Sequence, residues 1–371
     1  MTYLDYNASA PVRPAVIDAM REALGQTGNP SSVHGFGRRA RRALEEAREG
    51  VAALVGAAPD RVVLTSGGTE ANNQALRSIA GPCAVSAVEH DSVLGAAPDA
   101  VRLPVDGNGR IVLDGLAERL ERARPAVVSV MLANNETGVL QPVREVAAIA
   151  RWYGALVHCD AVQATGKVPV HLGELGIDLL SLSAHKLGGP QGIGALVVRE
   201  GVGPAPLLCG GGQERRRRAG TENLPGAIGF GLACRLALED ISFTPRVGAL
   251  RDELEARILK VAPSARVLGR EVARLCNTSC LAMPGVSNQT QLMAFDLEGI
   301  AVSTGSACSS GKVGPSHVLA AMGVPEAEAS SAIRVSLGWA SEAADVDRFV
   351  EAWTRLFTRT RGGNARLSAS A

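Results

Sequence analysis

Between residues 15 and 240, stretches with helical periodicity, such as Arg38 to Val55, alternate with short apolar runs closed by polar, glycine-bearing turns. A helix and a strand that each bury one side against the other stack into layers. Repeated alternation therefore predicts an α/β fold built on a mostly parallel sheet. The runs expected as strands are Val62 to Thr65, Val127 to Leu132, Leu156 to Cys159, Leu179 to Leu182 and Ala195 to Val198. Ser242-Phe243-Thr244-Pro245 breaks the pattern; an amphipathic helix is then expected from Arg246 to Val261, with shorter elements following to Phe357. The expected organisation is a large domain over residues 15–241 and a smaller α+β domain from residues 1–14 and 242–360. Residues 361–371, rich in Gly, Ser and Arg, are expected to form a disordered tail.

The chain has 371 residues, 46% of them hydrophobic and 20% charged, enough apolar material for two cores. Lys and Arg number 38 against 37 Asp and Glu, so no general field draws the protein to nucleic acid or to an anionic membrane. No apolar run reaches the length of a membrane span, and MTYLDYNASAP is not a basic-then-apolar leader. The seven cysteines (Cys83, Cys159, Cys209, Cys234, Cys276, Cys280 and Cys308) form an odd set without C-x-x-C spacing. Reduced thiols, a cytoplasmic setting and no metal site are the expectation.

In open α/β sheets, ligands bind beyond the carboxyl ends of the strands. Only four of the basic residues are lysines, and one of them, Lys186, follows the apolar run Ile177 to Leu182 and precedes Gly188-Gly189-Pro190. Lys, unlike Arg, can lose its proton when desolvated and act as an amine nucleophile. Taken alone it reads first as a solvated lysine in a turn. Val62 to Thr65 runs into Ser66-Gly67-Gly68-Thr69-Glu70 and a helical stretch, which is either a phosphate cradle or a simple helix cap. Leu156 to Cys159 ends at Asp160 with Gln163 close behind, Val127 to Leu132 ends at Asn134-Asn135-Glu136, and Ala84 to Val88 ends near His90. A phosphate cradle, an acid and a strand-end lysine on one sheet edge are the parts pyridoxal 5'-phosphate (PLP) needs: an anion site, an amine for covalent attachment, and a carboxylate for the pyridinium nitrogen.

Ten stretches then resemble one family, in its order and over most of the chain. They are LDYNASAPV, GNPSSVHGFGRRA, LTSGGTEANN, EHDSV, NNETGVLQPV, HCDAVQATGK, SAHKLGGPQGIGAL, GGGQERRRRAGTEN, STGSACSSGKVGPSHVL and IRVSLG. The chain is similar to the cysteine desulfurases of the NifS/IscS kind, a class V aminotransferase subgroup of the fold-type I PLP enzymes. The resemblance implies Lys186 as the Schiff-base lysine, Asp160 on the pyridine nitrogen, Gln163 on the ring oxygen and His90 stacked on the ring. It implies Gly68, Thr69, Ser183 and His185 as phosphate ligands, joined by Thr221 from the other subunit of a homodimer. Asn135 would lie near the substrate, and Arg334 would take its carboxylate as a planar fork. Departures from the family pattern are Ser9-Ala10 where two Thr are common, Gly68 in place of Ala, and extra charge at Arg216 and Arg217, read as a solvated rim before a docking patch.

PLP supports many reactions, and Cys308 separates them. It lies among small residues, Ser303-Thr304-Gly305-Ser306-Ala307-Cys308-Ser309-Ser310-Gly311, between an expected strand at Ile300 to Val302 and a helix expected near Pro315. An incidental exposed thiol is the plain reading; the resemblance implies a thiolate that takes sulfur from L-cysteine, leaving L-alanine. The persulfide would pass to an iron–sulfur scaffold or another acceptor protein, with His90 serving proton transfer. The alternatives are a selenocysteine lyase or another class V PLP enzyme, and a non-catalytic partner-binding protein.

Overall fold

The structure is a computed structural model that describes residues 1–305 and 316–368, the last eight as backbone alone. Cys308 lies outside the described residues.

A seven-stranded sheet runs in the order Val62–Thr65, Gly194–Val198, Leu179–Ser183, Leu156–Asp160, Val127–Ser129, Cys83–Ser86 and Val101–Leu103. All neighbours pair in parallel except Gly194–Val198, which is antiparallel to both strands beside it. Alternation along these strands divides their side chains between two cores. Val62, Leu64, Leu180, Leu182, Ala195 and Val197 share a cluster with Leu44, Val51 and Phe230. Val63, Leu179, Leu196 and Val198 instead meet Ala71 and Ala75 of the helix Gly68–Arg77. With both faces covered, the central strands become continuous apolar runs, which is why they stand out in the sequence. The helices Gly35–Leu54 and Leu224–Glu239 cross at two glycines: a methyl group on Gly50 would stand 2.5 Å from the Gly231 carbonyl oxygen.

A second core gathers Leu4, Val247, Leu254, Ile258, Phe295, Ile333, Val335, Phe349 and Trp353. It packs on a three-stranded antiparallel sheet in the order Ala332–Ser336, Thr278–Ala282, Arg266–Val267. The amino-terminal strand Thr2–Tyr3 pairs in parallel with Ile300–Ala301.

Four local expectations change. The regular strand from Val127 stops at Ser129: Val130 and Leu132 still donate to the His158 and Asp160 carbonyls at 3.0 and 2.9 Å, but the Met131 N–H between them donates to the Glu89 carboxyl at 2.6 Å. The expected break before Arg246 is the first turn of a helix, Phe243–Val261, in which Pro245 withholds an N–H that has no intrahelical acceptor there. The last helix runs Ala343–Ser368, into the stretch expected as tail. The Arg215–Arg218 run is only half a rim: Arg217 donates to the Asp60 carbonyl at 2.7 Å and Arg218 pairs with Glu70 at 2.9 Å. That run begins inside an arch in which Glu214, Arg215 and Arg216 all have positive φ. Glu214 anchors the arch through Arg48 at 2.7 and 2.8 Å and through the Leu64 N–H at 2.8 Å, with both charged side chains buried.

Candidate active site

The strand Leu179–Ser183 hands the chain to a single helical turn, Ala184–Lys186, which brings the Lys186 side chain back over the sheet edge. Its Nζ donates to the carbonyls of Asn7 at 2.5 Å and Ala8 at 2.8 Å. Those carbonyls are fixed because Asn7 is buried in a net: its N–H donates to Ser336 Oγ at 2.9 Å, its Nδ2 to Thr278 Oγ1 at 2.9 Å, and its Oδ1 accepts from Asn277 at 3.0 Å.

Asp160 closes the next strand, Leu156–Asp160. One carboxylate oxygen accepts from Asn72 Nδ2 at 2.7 Å and the other from the Val162 N–H at 2.9 Å. Behind it, burial and the Asp160 charge push the Glu89 carboxyl well up. His158, two residues before Asp160, sits between the hydroxyls of Ser129 at 2.8 Å and Ser181 at 2.9 Å, and burial lowers its pKa to about 4. His90 caps the short helix Asp91–Leu94. Its Nδ1 accepts the Ser92 N–H at 3.1 Å, so the proton of the neutral ring belongs on Nε2.

These elements enclose a cavity of about 270 Å³. Lys186, Asp160, Gln163, His90, Asn135 and Arg334 line it, together with Gly68, Thr69, Ser183 and His185. The structure thus brings ten of the twelve sequence-selected residues together. Thr221 is exposed and is not part of the cavity wall; Cys308 is outside the described residues. Asn7, Asn72, Ser92 and Met131 also line the cavity and were missed by the sequence reading. For Asn7 and Asn72 the available signal was their position inside the LDYNASAPV and LTSGGTEANN stretches.

Three tests bear on the fit to PLP. Among the described residues, three buried amide oxygens on the wall, Asn72 Oδ1, Asn135 Oδ1 and Gln163 Oε1, have no hydrogen-bond partner, a cost that a polar ligand relieves. The helix Gly68–Arg77 has no side-chain cap among the described residues, and its first residues Gly68 and Thr69 line the cavity with Ser183, which suits a phosphate. Burial and the Lys186 charge lower His185 to about 4, so it enters this group as a neutral imidazole. The donor set therefore fits PLP: a helix N-terminus, a carboxylate and an amine share one cavity.

Arg334, on the strand Ala332–Ser336, is buried and forked between the Asn135 carbonyl at 3.0 Å and Asp5 at 2.8 Å. Its Nε has no partner among the described residues. A guanidinium so placed offers remaining N–H groups to an anion in the cavity.

A family model described as Aminotransferase class-V matches residues 2–349. A cysteine desulfurase of Cereibacter sphaeroides is 47% identical over 365 residues, covering 94% of this chain and 94% of that protein. The cysteine desulfurase IscS of Dictyoglomus turgidum is 42% identical over 97% of this chain and 95% of its own. The solved structure of a NifS-like protein from Rickettsia africae superposes with a TM-score of 0.90 at 36% identity, over 96% of this chain and 99% of that one. Sequence, fold and cavity agree, and the chain belongs to the aminotransferase class-V family, among its NifS- and IscS-like cysteine desulfurases.

Proposed function

We propose that the protein is a PLP-dependent cysteine desulfurase that converts L-cysteine to L-alanine and carries the sulfur as a persulfide on Cys308. The observation that carries the reading is one cavity holding an amine, Lys186, a donor-fixed carboxylate, Asp160, and a buried fork, Arg334. When bound, PLP supplies the electron sink that labilises bonds at the substrate's α- and β-carbons. The chain supplies the rest. Asp160, held by Asn72 and the Val162 N–H, keeps a proton on the ring nitrogen. Lys186 Nζ anchors the cofactor and moves the substrate's α-proton, and the two carbonyls from Asn7 and Ala8 aim it. Arg334 orients the substrate carboxylate, and His90 exchanges a proton with the substrate thiol through Nε2. The Cys308 thiolate attacks the substrate sulfur: an S–S bond forms, the C–S bond breaks, and its electrons with one proton become the alanine methyl C–H. L-cysteine plus thiol gives L-alanine plus persulfide, so no external oxidant is required.

Delivery to an iron–sulfur scaffold or another acceptor protein follows from the same reading. So does a homodimer in which Thr221, exposed on its own protomer beside the anchored arch, completes the phosphate site of the neighbour. A cytoplasmic setting suits the six described cysteines, all of which are free. Among the described residues, no helix is long and apolar enough to cross a membrane.

The test is Cys308→Ser, which replaces a polarisable thiolate with a poorly nucleophilic hydroxyl. L-cysteine should still change the visible spectrum of the bound cofactor, while persulfide and catalytic alanine both disappear. A wild-type persulfide mapped only to other cysteines sinks the mechanism.

A further inference from the structure

Glu136 is fully buried and lies one residue after the cavity residue Asn135, in a turn closed by Asn134 Oδ1, which accepts the Glu136 and Thr137 N–H groups at 2.9 and 3.0 Å. Its carboxylate meets the chain twice more, at Gly305 and at Ser316. The Gly305 Cα packs so closely on it that a methyl group there would overlap the carboxylate. Ser316 Oγ donates to Glu136 Oε2 at 2.6 Å while accepting the Leu319 N–H at 3.1 Å as cap of the helix His317–Ala321. Gly305 and Ser316 are the two residues between which Cys308 lies.

Each end is braced a second time against the cavity. Two residues before Gly305, the Ser303 N–H donates to the Arg334 carbonyl at 3.1 Å and the Arg334 N–H returns a bond at 2.6 Å. One residue after Ser316, His317 Nε2 bonds the carbonyl of Glu89, next to His90, at 2.9 Å. Burial pushes the Glu136 carboxyl up, and the Ser316 hydroxyl, His317 and Arg334 pull it back.

Resting on the desulfurase reading, we propose that Glu136 is a positioning residue for sulfur transfer: one buried carboxylate fixes both ends of the segment that bears Cys308 and ties them to the substrate-facing residues Asn135 and Arg334. A thiol on a short span with both ends fixed beside the cavity has a high effective concentration there. Releasing the ends dilutes it over a larger volume. The effect is on delivery of the thiol and not on cofactor or substrate binding.

The experiment uses holoenzyme carrying Glu136→Gln, which keeps the side-chain size and removes the charge. Three quantities are read: the L-cysteine-induced change in the cofactor spectrum, the single-turnover rate of persulfide formation on Cys308 by peptide mass spectrometry, and the rate of trypsin cleavage after Lys312 without substrate. The spectral change should keep its wild-type concentration dependence. Persulfide formation should slow by about tenfold, as expected for one charged hydrogen bond, and cleavage after Lys312 should accelerate. Ser316→Ala, which removes one anchor and leaves the carboxylate, should show the same pattern more weakly. The double variant should be no slower than Glu136→Gln alone, because the two residues act as one unit. Wild-type rates of both persulfide formation and cleavage in Glu136→Gln overturn the inference. So does a parallel loss of the spectral response, which marks general damage. If wild-type enzyme forms no persulfide on Cys308, the desulfurase reading fails, an outcome separate from an unchanged cleavage rate in the variant.

Discussion

Replacing Arg334 by Lys keeps one positive charge and removes a planar array of donors. In the structure two of those donors are committed, to the Asn135 carbonyl at 3.0 Å and to Asp5 at 2.8 Å, and the side chain is 2% exposed. An ammonium in this position reaches either Asp5 or a substrate carboxylate with good geometry, and not both in one plane. The loss is then one charged hydrogen bond, about 1.5–3 kcal/mol, or roughly ten- to 150-fold in affinity for L-cysteine. We expect the lower half of that range, since the charge itself remains. The assay titrates the cofactor spectrum with L-cysteine in a Cys308→Ser background, where sulfur transfer does not intervene, and repeats it with cysteamine. Cysteamine has the amine and thiol of the substrate without its carboxylate. The preference for L-cysteine over cysteamine should collapse in Arg334→Lys while cysteamine binding stays put. Equal weakening for both compounds would mean that the substitution disturbed the cavity in general. An unchanged preference would remove Arg334 from the carboxylate site.

Lys186→Ala should lose catalytic alanine formation and the covalently linked form of the cofactor, and alanine production at the wild-type rate refutes the anchor assignment. Mixed with chains damaged at Thr221, it should give hybrid dimers that recover activity, because one site is then intact; confirmed hybrids without recovery count against a shared site. His158 has a folded pKa of about 4 against an ordinary value of 6.5. Below pH 6.5 the unfolded chain takes up a proton that the folded chain refuses until about pH 4, so stability falls as the pH drops through that window, by about 2 kcal/mol between pH 7 and pH 5. Urea unfolding at the two pH values should show a smaller difference in His158→Gln, and an identical difference would contradict the assignment.

The residues legible in the sequence are those that terminate buried strands. Leu156–Asp160 and Leu179–Ser183 are apolar runs because the sheet is covered on both faces, and Asp160 and Lys186 stand out where the runs end. The short edge strand Val101–Leu103 was not legible, because three residues carry too little alternation and two of them are exposed. Nor was Asn7, which meets Lys186 across 179 residues of chain. Asn72 and Glu89 escaped for a related reason: Asn72 meets Asp160, and Glu89 the Met131 N–H, through a side chain folded in from another element, and such pairing leaves no period in the sequence. The family resemblance assigned residue roles where periodicity could not, but it gave no role to Glu136, whose partners lie far along the chain.

The net around Asn7 fixes when, as well as where, the site exists. A ribosome releases the Lys186 region long before it releases Ser336 and Thr278, the residues that hold Asn7 in place. Until residue 336 has emerged, the amino-terminal segment has no seat beside Ile300 and Ser336, and the lysine has no carbonyls to aim it. The surroundings of Lys186 are therefore complete only when nearly the whole chain has been made.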